Sequence, residues 1–246
     1  MSFYIDKIIA EIQDNFLNYP IIRKISKHFF HGGYAKLYVV TPYWHASISE
    51  LPIRLLKRRI LKAGHSCLIY QFPSKVLSEN VHLTEKYFKE IQEEIREDIN
   101  NLKNKHNFLE VIVVGMSLGC INALMVSNKN KNVDKLSLVV PGDSLADSLW
   151  RSIGTKKLKS KIKKENINLE ELEKDWKRLD PKNNIDDLFD KDIEIYLSKA
   201  DKVIPYKNGG HLIKDMKNIG LNPIFFKNNK LGHYLTILEF IIFKKF

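Results

Sequence analysis

Cysteine is scarce in this chain. Only Cys67 and Cys120 occur in 246 residues, so no disulfide framework can staple the fold. Both lie in apolar surroundings, as reduced thiols buried in a reducing compartment do. Long hydrophobic runs are missing too: nothing approaches the roughly 18 consecutive apolar residues that a membrane-spanning helix needs. The opening residues, Met1-Ser2-Phe3-Tyr4-Ile5-Asp6, lack the basic start and apolar run of a secretory signal, so a cytoplasmic protein is expected. No glycine-rich phosphate loop or dinucleotide fingerprint is present, and no Cys/His pairs stand at metal-ligand spacing. Neither cofactor nor metal is expected.

Acid is scarcer than base, with 29 Asp and Glu against 40 Lys and Arg, which leaves a formal charge of +11. Such an excess can steer anionic substrates, nucleic acid or a membrane surface toward a protein. Here the lysines are mostly spread along polar helix faces, so composition alone accounts for the charge. Nucleic acid binding would rest on charge without interleaved aromatics and is not expected. What the chain does have is enough apolar residues, 44%, to build an ordinary globular core, and its length suits a single domain spanning 1–246.

Residues 3–17 carry Ile5, Ile8, Ile9, Ile12 and Phe16 at helical spacing, and Asn18-Tyr19-Pro20 breaks that pattern. A second short helix is expected before Gly32-Gly33, which makes 1–34 a helical N-terminal segment. Then the period changes. Apolar β-type runs occupy Lys36–Thr41, Ser66–Phe72, Phe108–Val114, Lys135–Val140 and Asp192–Ser198, with a sixth at Pro223–Phe226. Continuous rather than alternating runs suit strands buried on both faces of a parallel sheet. Helical spacing marks Ser49–Ala63, Asn80–Lys103, Leu118–Ser127 and Lys207–Ile219. This alternation predicts an α/β protein with a mostly parallel sheet of about six strands and helices on both faces. One stretch interrupts it. Residues 143–190 are mostly helical in pattern, with a capping box at Asn168 and Glu171 and a stop at Asp180-Pro181, and are too long for an ordinary connection. An inserted helical cap is expected there.

The strongest chemical signal is Gly115-Met116-Ser117-Leu118-Gly119, which follows a β-run and opens a helix. A serine on so sharp a strand-to-helix turn needs small neighbours, and the turn exposes its hydroxyl. It also puts the Leu118 backbone N–H at a helix N-terminus, where it can stabilise an oxyanion. A serine needs a base. Of the eight histidines, His233 stands out in Lys230-Leu231-Gly232-His233-Tyr234, on a loop after the last β-run. His45, in the loop after the first β-run, competes. His211 begins a helix ten residues past Asp201, too close to reach another strand's end. The acid that orients the base should follow another strand; Asp201 does, and Asp143 after Val140-Pro141-Gly142 is its rival.

With these residues in view, the chain from about 35 to 246 resembles the α/β-hydrolase superfamily of serine hydrolases, the esterases and lipases among them. Gly115–Gly119 is similar to that family's nucleophile elbow, Asp201-Lys202-Val203-Ile204-Pro205 to its acid loop, and Gly232-His233 to its histidine loop, and the order Ser, Asp, His is the family's order. The resemblance implies Ser117 as nucleophile, His233 as base and Asp201 as its orienting acid, with an acyl-enzyme formed on a small-molecule carboxylic ester. A thioesterase or acyltransferase is the rival within the fold, and a non-catalytic protein binding through its basic cap is the rival outside it.

Two departures accompany the likeness. Where the family often has His-Gly after its first parallel strand, this chain reads Thr41-Pro42-Tyr43-Trp44, and proline has no N–H to give. The second oxyanion donor falls to Tyr43, with Trp44 behind it. The family's N-terminal β-hairpin also has no counterpart in the pattern of residues 1–30. Within the expected cap, Lys156, Lys157, Lys159, Lys161, Lys163 and Lys164 form either a weak contact for anionic lipid or an acidic ligand, or simply a solvated helix face. Trp150 and Trp176 either line an acyl pocket or pack the cap onto the sheet.

Overall fold

The structure is a computed structural model and describes residues 5–7 and 24–246. Its centre is a seven-stranded sheet in the order β1-β3-β2-β4-β5-β6-β7. The strands are β1 (Ser26–Phe30), β2 (Lys36–Thr41), β3 (Ser66–Gln71), β4 (Glu110–Met116), β5 (Lys135–Val139), β6 (Asp192–Ser198) and β7 (Ile224–Asn228). All neighbours from β3 to β7 pair in parallel, and β1 alone runs antiparallel, against β3.

The continuous apolar runs have a direct structural meaning. Along β4, Val111 and Val113 enter one core while Ile112, Val114 and Met116 enter another on the opposite face. Leu37 and Val39 of β2 divide from Tyr38 and Val40 in the same way. A strand flanked by two cores needs apolar side chains at every position, so the alternation of a half-wet sheet disappears. Each fully buried aliphatic of this kind contributes about 1.5–3 kcal/mol.

Helix α1 (Leu51–Lys62) covers one face together with α8 (His233–Phe243), and α2 (Val81–His106), α3 (Gly119–Ser127) and α7 (Tyr206–Asn218) lie with the other core. Helix α2 shows how sequence sets such an element. The Asn80 side chain accepts the Leu83 N–H at its start, Phe88, Ile91, Ile95 and Ile99 are buried along one stripe, and Asn107 ends it in the left-handed region at φ 50°. Between β5 and β6 the chain runs through α4 (Leu145–Arg151), α5 (Lys156–Lys164) and α6 (Leu169–Asp175), joined by 3₁₀ turns. The expected capping box at Asn168 and Glu171 is formed in full.

The N-terminal segment differs from expectation. Ser26–Phe30, predicted as helix, is a strand, which brings the sheet to seven strands rather than six. Its residues alternate between half-buried and exposed, and Ser26 and His28 both meet the Gln71 side-chain carbonyl of β3, at 3.3 and 3.2 Å. An edge strand needs only every second side chain against the protein, so it leaves no apolar run to read. Gly32 and Gly33 therefore end a strand, not a helix, with their N–H groups 3.1 and 3.4 Å from the Ser66 hydroxyl. Residues 5–7 are helical as expected, and the rest of the predicted N-terminal helix lies outside the described residues.

Candidate active site

The chain leaves β2 for β3 in one direction and then returns to place β4 on β2's other side. At such a reversal the loops leaving the two central strands diverge and open a cleft at their C-terminal ends. The loop after β2 holds Tyr43, and the turn after β4 holds Ser117.

That turn is tight by necessity. A Cβ on Gly115 would lie 2.6 Å from the Cys120 Cα and 2.7 Å from the Ala123 Cβ, and one on Gly119 would run into the carbonyl oxygens of Thr41 and Pro42. The two glycines thus let α3 press against β4 and against the exit of β2. Ser117 itself sits at φ 53°, in the left-handed region that costs a non-glycine residue about 1–3 kcal/mol. Its N–H donates to the Val139 carbonyl at 2.9 Å and its carbonyl accepts the Cys120 N–H at 2.9 Å, which holds the strained turn in place.

The hydroxyl that this turn projects lies 2.8 Å from Nε2 of His233. The other ring nitrogen, Nδ1, is 2.7 Å from Oδ2 of Asp201. An ionised carboxylate can only accept, so Nδ1 carries the proton and Nε2 is left to accept from the Ser117 hydroxyl. Asp201 is held from behind: its Oδ1 accepts the N–H groups of Val203 at 2.8 Å and Ile204 at 2.9 Å, which fixes the carboxylate toward the ring. His233 and Asp201 are both buried, with side chains 1% and 2% exposed, while Ser117 reaches the cleft. The Ser198 hydroxyl donates to the Leu231 carbonyl and ties the exit of β6 to the histidine turn.

The rival residues are accounted for elsewhere. Asp143 meets Nδ1 of His211 at 3.2 Å, and the His211 side chain is 60% exposed. His45 is half-buried, its ring stacks on Trp44 at 4.3 Å between centroids, and loss of solvent around it holds its pKa down at about 4, which leaves it neutral. His233 is not on a loop, as its surroundings had suggested, but is the first residue of α8. A residue missed by sequence reasoning, Asp6, accepts the backbone N–H of His233 at 2.9 Å. An acid beside Lys7, off the apolar stripe of Ile5, Ile8, Ile9, Ile12 and Phe16, gave no signal of this.

The cleft beside Ser117 encloses roughly 700 Å³, open solvent included. Tyr43, Leu118, Ile121, Leu145, Leu149 and Ile204 supply its apolar wall, and Ser148, Ser152 and Thr155 add hydroxyls. Among the described residues no ionisable acid or base lines it except the phenols of Tyr43 and Tyr234. Neither Trp150 nor Trp176 takes part. Trp176 is fully buried and donates from Nε1 to the Val81 carbonyl at 3.1 Å, so it packs α6 onto α2. Trp150 lies under the ammonium groups of Lys159 and Lys163. Among the described residues no group of His, Cys, Asp and Glu is arranged to hold a metal ion, and no helix is long and apolar enough to cross a membrane.

Comparison with solved structures agrees with this architecture. An esterase from Pyrococcus furiosus superposes with a TM-score of 0.65 at 16% identity, covering 88% of this chain and 80% of its own. The chain has the α/β-hydrolase fold. Est1E from Butyrivibrio proteoclasticus, with ferulic acid bound, gives 0.64 at 12% identity over 89% of this chain and 94% of that one. Acetyl xylan esterase 1 from a Thermoanaerobacterium species gives 0.62 at 12% identity over 87% and 78%. No protein-family model matches the sequence, and no curated protein matches it. At such identities the likeness speaks for the α/β-hydrolase architecture, and the chemistry has to be argued from the site.

Proposed function

We propose that this protein is a serine hydrolase that cleaves esters of uncharged carboxylic acids through an acyl-enzyme. The observation that carries the reading is the unbroken chain from the Ser117 hydroxyl through His233 to Asp201, at 2.8 and 2.7 Å. In this reading His233 takes the Ser117 proton as the oxygen attacks the ester carbonyl, and the ring then returns it to the departing alcohol. Water repeats the sequence on the acyl-enzyme and frees the acid. Asp201 keeps the ring in the productive tautomer and stabilises the imidazolium. The N–H of Leu118, at the start of α3, and that of Tyr43, on the loop after β2, stabilise the oxyanion.

The substrate class follows from the cleft, whose described wall residues offer an acyl chain apolar contact and no charged partner. Esterases and peptidases both occur among the solved structures of this fold, so an ester substrate rests on analogy with the esterases. In this reading the chain is one α/β-hydrolase domain, and residues 143–190 are its cap, since Ser148, Ser152, Thr155 and Pro181 from that stretch line the cleft. The two free, buried cysteines suit a cytoplasmic setting.

The test is a series of p-nitrophenyl esters of increasing acyl length, run beside matched acyl-thioesters and an acyl chain ending in a carboxylate. Neutral esters are expected to turn over, the charged analogue at least about tenfold more slowly, and Ser117→Ala at least about a thousandfold more slowly than wild type. Preferential turnover of thioesters would move the reading to a thioesterase. Absence of any turnover would favour a binding protein.

A further inference from the structure

Asp6 is a buried carboxylate that the reaction above leaves unused. Its side chain is shielded from solvent completely, at 0% exposure. Its Oδ2 accepts the His233 N–H at 2.9 Å and its Oδ1 lies 3.4 Å from the Tyr234 N–H. These are the first two residues of α8, whose N-cap is Gly232 and supplies no side-chain cap of its own. A Cβ at Gly232 would collide with the Asp6 carboxyl group, so glycine stands where this approach requires it. The cap of the histidine helix therefore comes from the far end of the chain, 227 residues away.

We propose that Asp6 is a positioning residue for His233, clamping the first turn of α8 so that the imidazole stays aligned between Ser117 and Asp201. The proposal rests on the reading of those three residues as the catalytic group. Two effects are combined in it. The hydrogen bonds fix where the His233 backbone sits, and a shift of about 1 Å at a reacting group can lower a rate a hundredfold. The negative charge also offsets the positive end of the α8 dipole, which would otherwise oppose the imidazolium formed during proton transfer. Among the described residues, the ionisable groups that act on Asp6 are His233 from α8 and Asp201 from the loop after β6, and Tyr234 meets it through its backbone N–H. Burial and the charge of Asp201 raise the Asp6 pKa, and the α8 amides and the imidazole oppose that rise.

Asn in place of Asp keeps an acceptor for the helix N–H but loses the charge, whereas Ala loses both. The experiment compares wild type, Asp6→Asn and Asp6→Ala in the pH profile of kcat/KM for a neutral p-nitrophenyl ester, and follows the His233 ring through the same pH range by NMR. Asp6→Asn is expected to move the acid limb of the profile and the ring titration to lower pH by at least about half a unit, with KM within twofold. Asp6→Ala is expected to lose at least about tenfold in kcat as well, with the Asn variant recovering most of that loss. Wild-type profiles and rates within twofold in both folded variants would overturn the proposal. If the alanine variant fails to fold, the asparagine variant decides. If wild type turns over no ester, the hydrolase reading fails on its own. The NMR titration then judges the clamp: a displaced ring titration in Asp6→Asn upholds it, and an unmoved one rejects it.

Discussion

Ser117 occupies a backbone region that few side chains tolerate, and the surrounding turn is built to hold it there. The same economy governs Asp201, whose two oxygens divide their work: one is fastened by the Val203 and Ile204 amides and the other faces the His233 ring. Asp201→Asn would keep the first contact and replace the second with an amide that favours the wrong ring tautomer. Its kcat on a short p-nitrophenyl ester is expected to fall about 10²- to 10⁴-fold. Asp143→Asn, whose side chain pairs with the exposed His211, is expected to stay within about threefold. The reverse ranking would make Asp143 the acid. These three residues were legible because the chemistry demands a given residue type just beyond a strand. Asp6 was not, since nothing along the chain says that residues 227 apart will meet.

The stretch between β5 and β6 is fastened to the cleft by Asp180, whose Oδ1 accepts the Leu145 N–H at 2.8 Å where α4 begins. Burial pushes the Asp180 carboxyl up to about 6. The sign follows from proton counting. Between pH 4 and 6 the folded chain keeps a proton here that the unfolded chain has lost, so stability is greatest at the acid end and declines as pH rises through the window. The size is at most about 3 kcal/mol. Asp180→Asn retains the carbonyl acceptor and removes the buried charge. It is expected to melt about 4–8 °C above wild type at pH 7 and close to it at pH 4, and parallel melting curves at both pH values would refute this.

Legibility varied among the elements for physical reasons. Strands buried on both faces announced themselves as apolar runs, and amphipathic α2 and α7 through their stripes. Helix α8 was overlooked because His233–Phe243 is apolar nearly all round and shows no period. β1 was misread because edge pairing asks little of its side chains.

Taken as a molecule, the sheet brings to one rim residues from the turn after β4, the loop after β6 and the start of α8. Leu158 and Ile162 of α5 face inward, and five of the six lysines around them are exposed, with Lys159 partly covered against Trp150. Among the described residues, nothing in the cleft wall carries a cationic or anionic side chain. The fold class could be read from the alternation of runs and stripes, but the shape and neutrality of the cleft could not, because they arise only when the loops after β2, β5 and β6 close around Ser117. In the proposed mechanism the hydroxyl of Ser117, among all the serines in the chain, is made nucleophilic by the ring and carboxylate behind it. Treatment with a fluorophosphonate probe followed by peptide mass spectrometry tests it most directly. A single adduct on Ser117, lost in Ser117→Ala and strongly slowed in His233→Ala, is the expected result. An unlabelled protein, or an adduct on another residue that persists in Ser117→Ala, would contradict it.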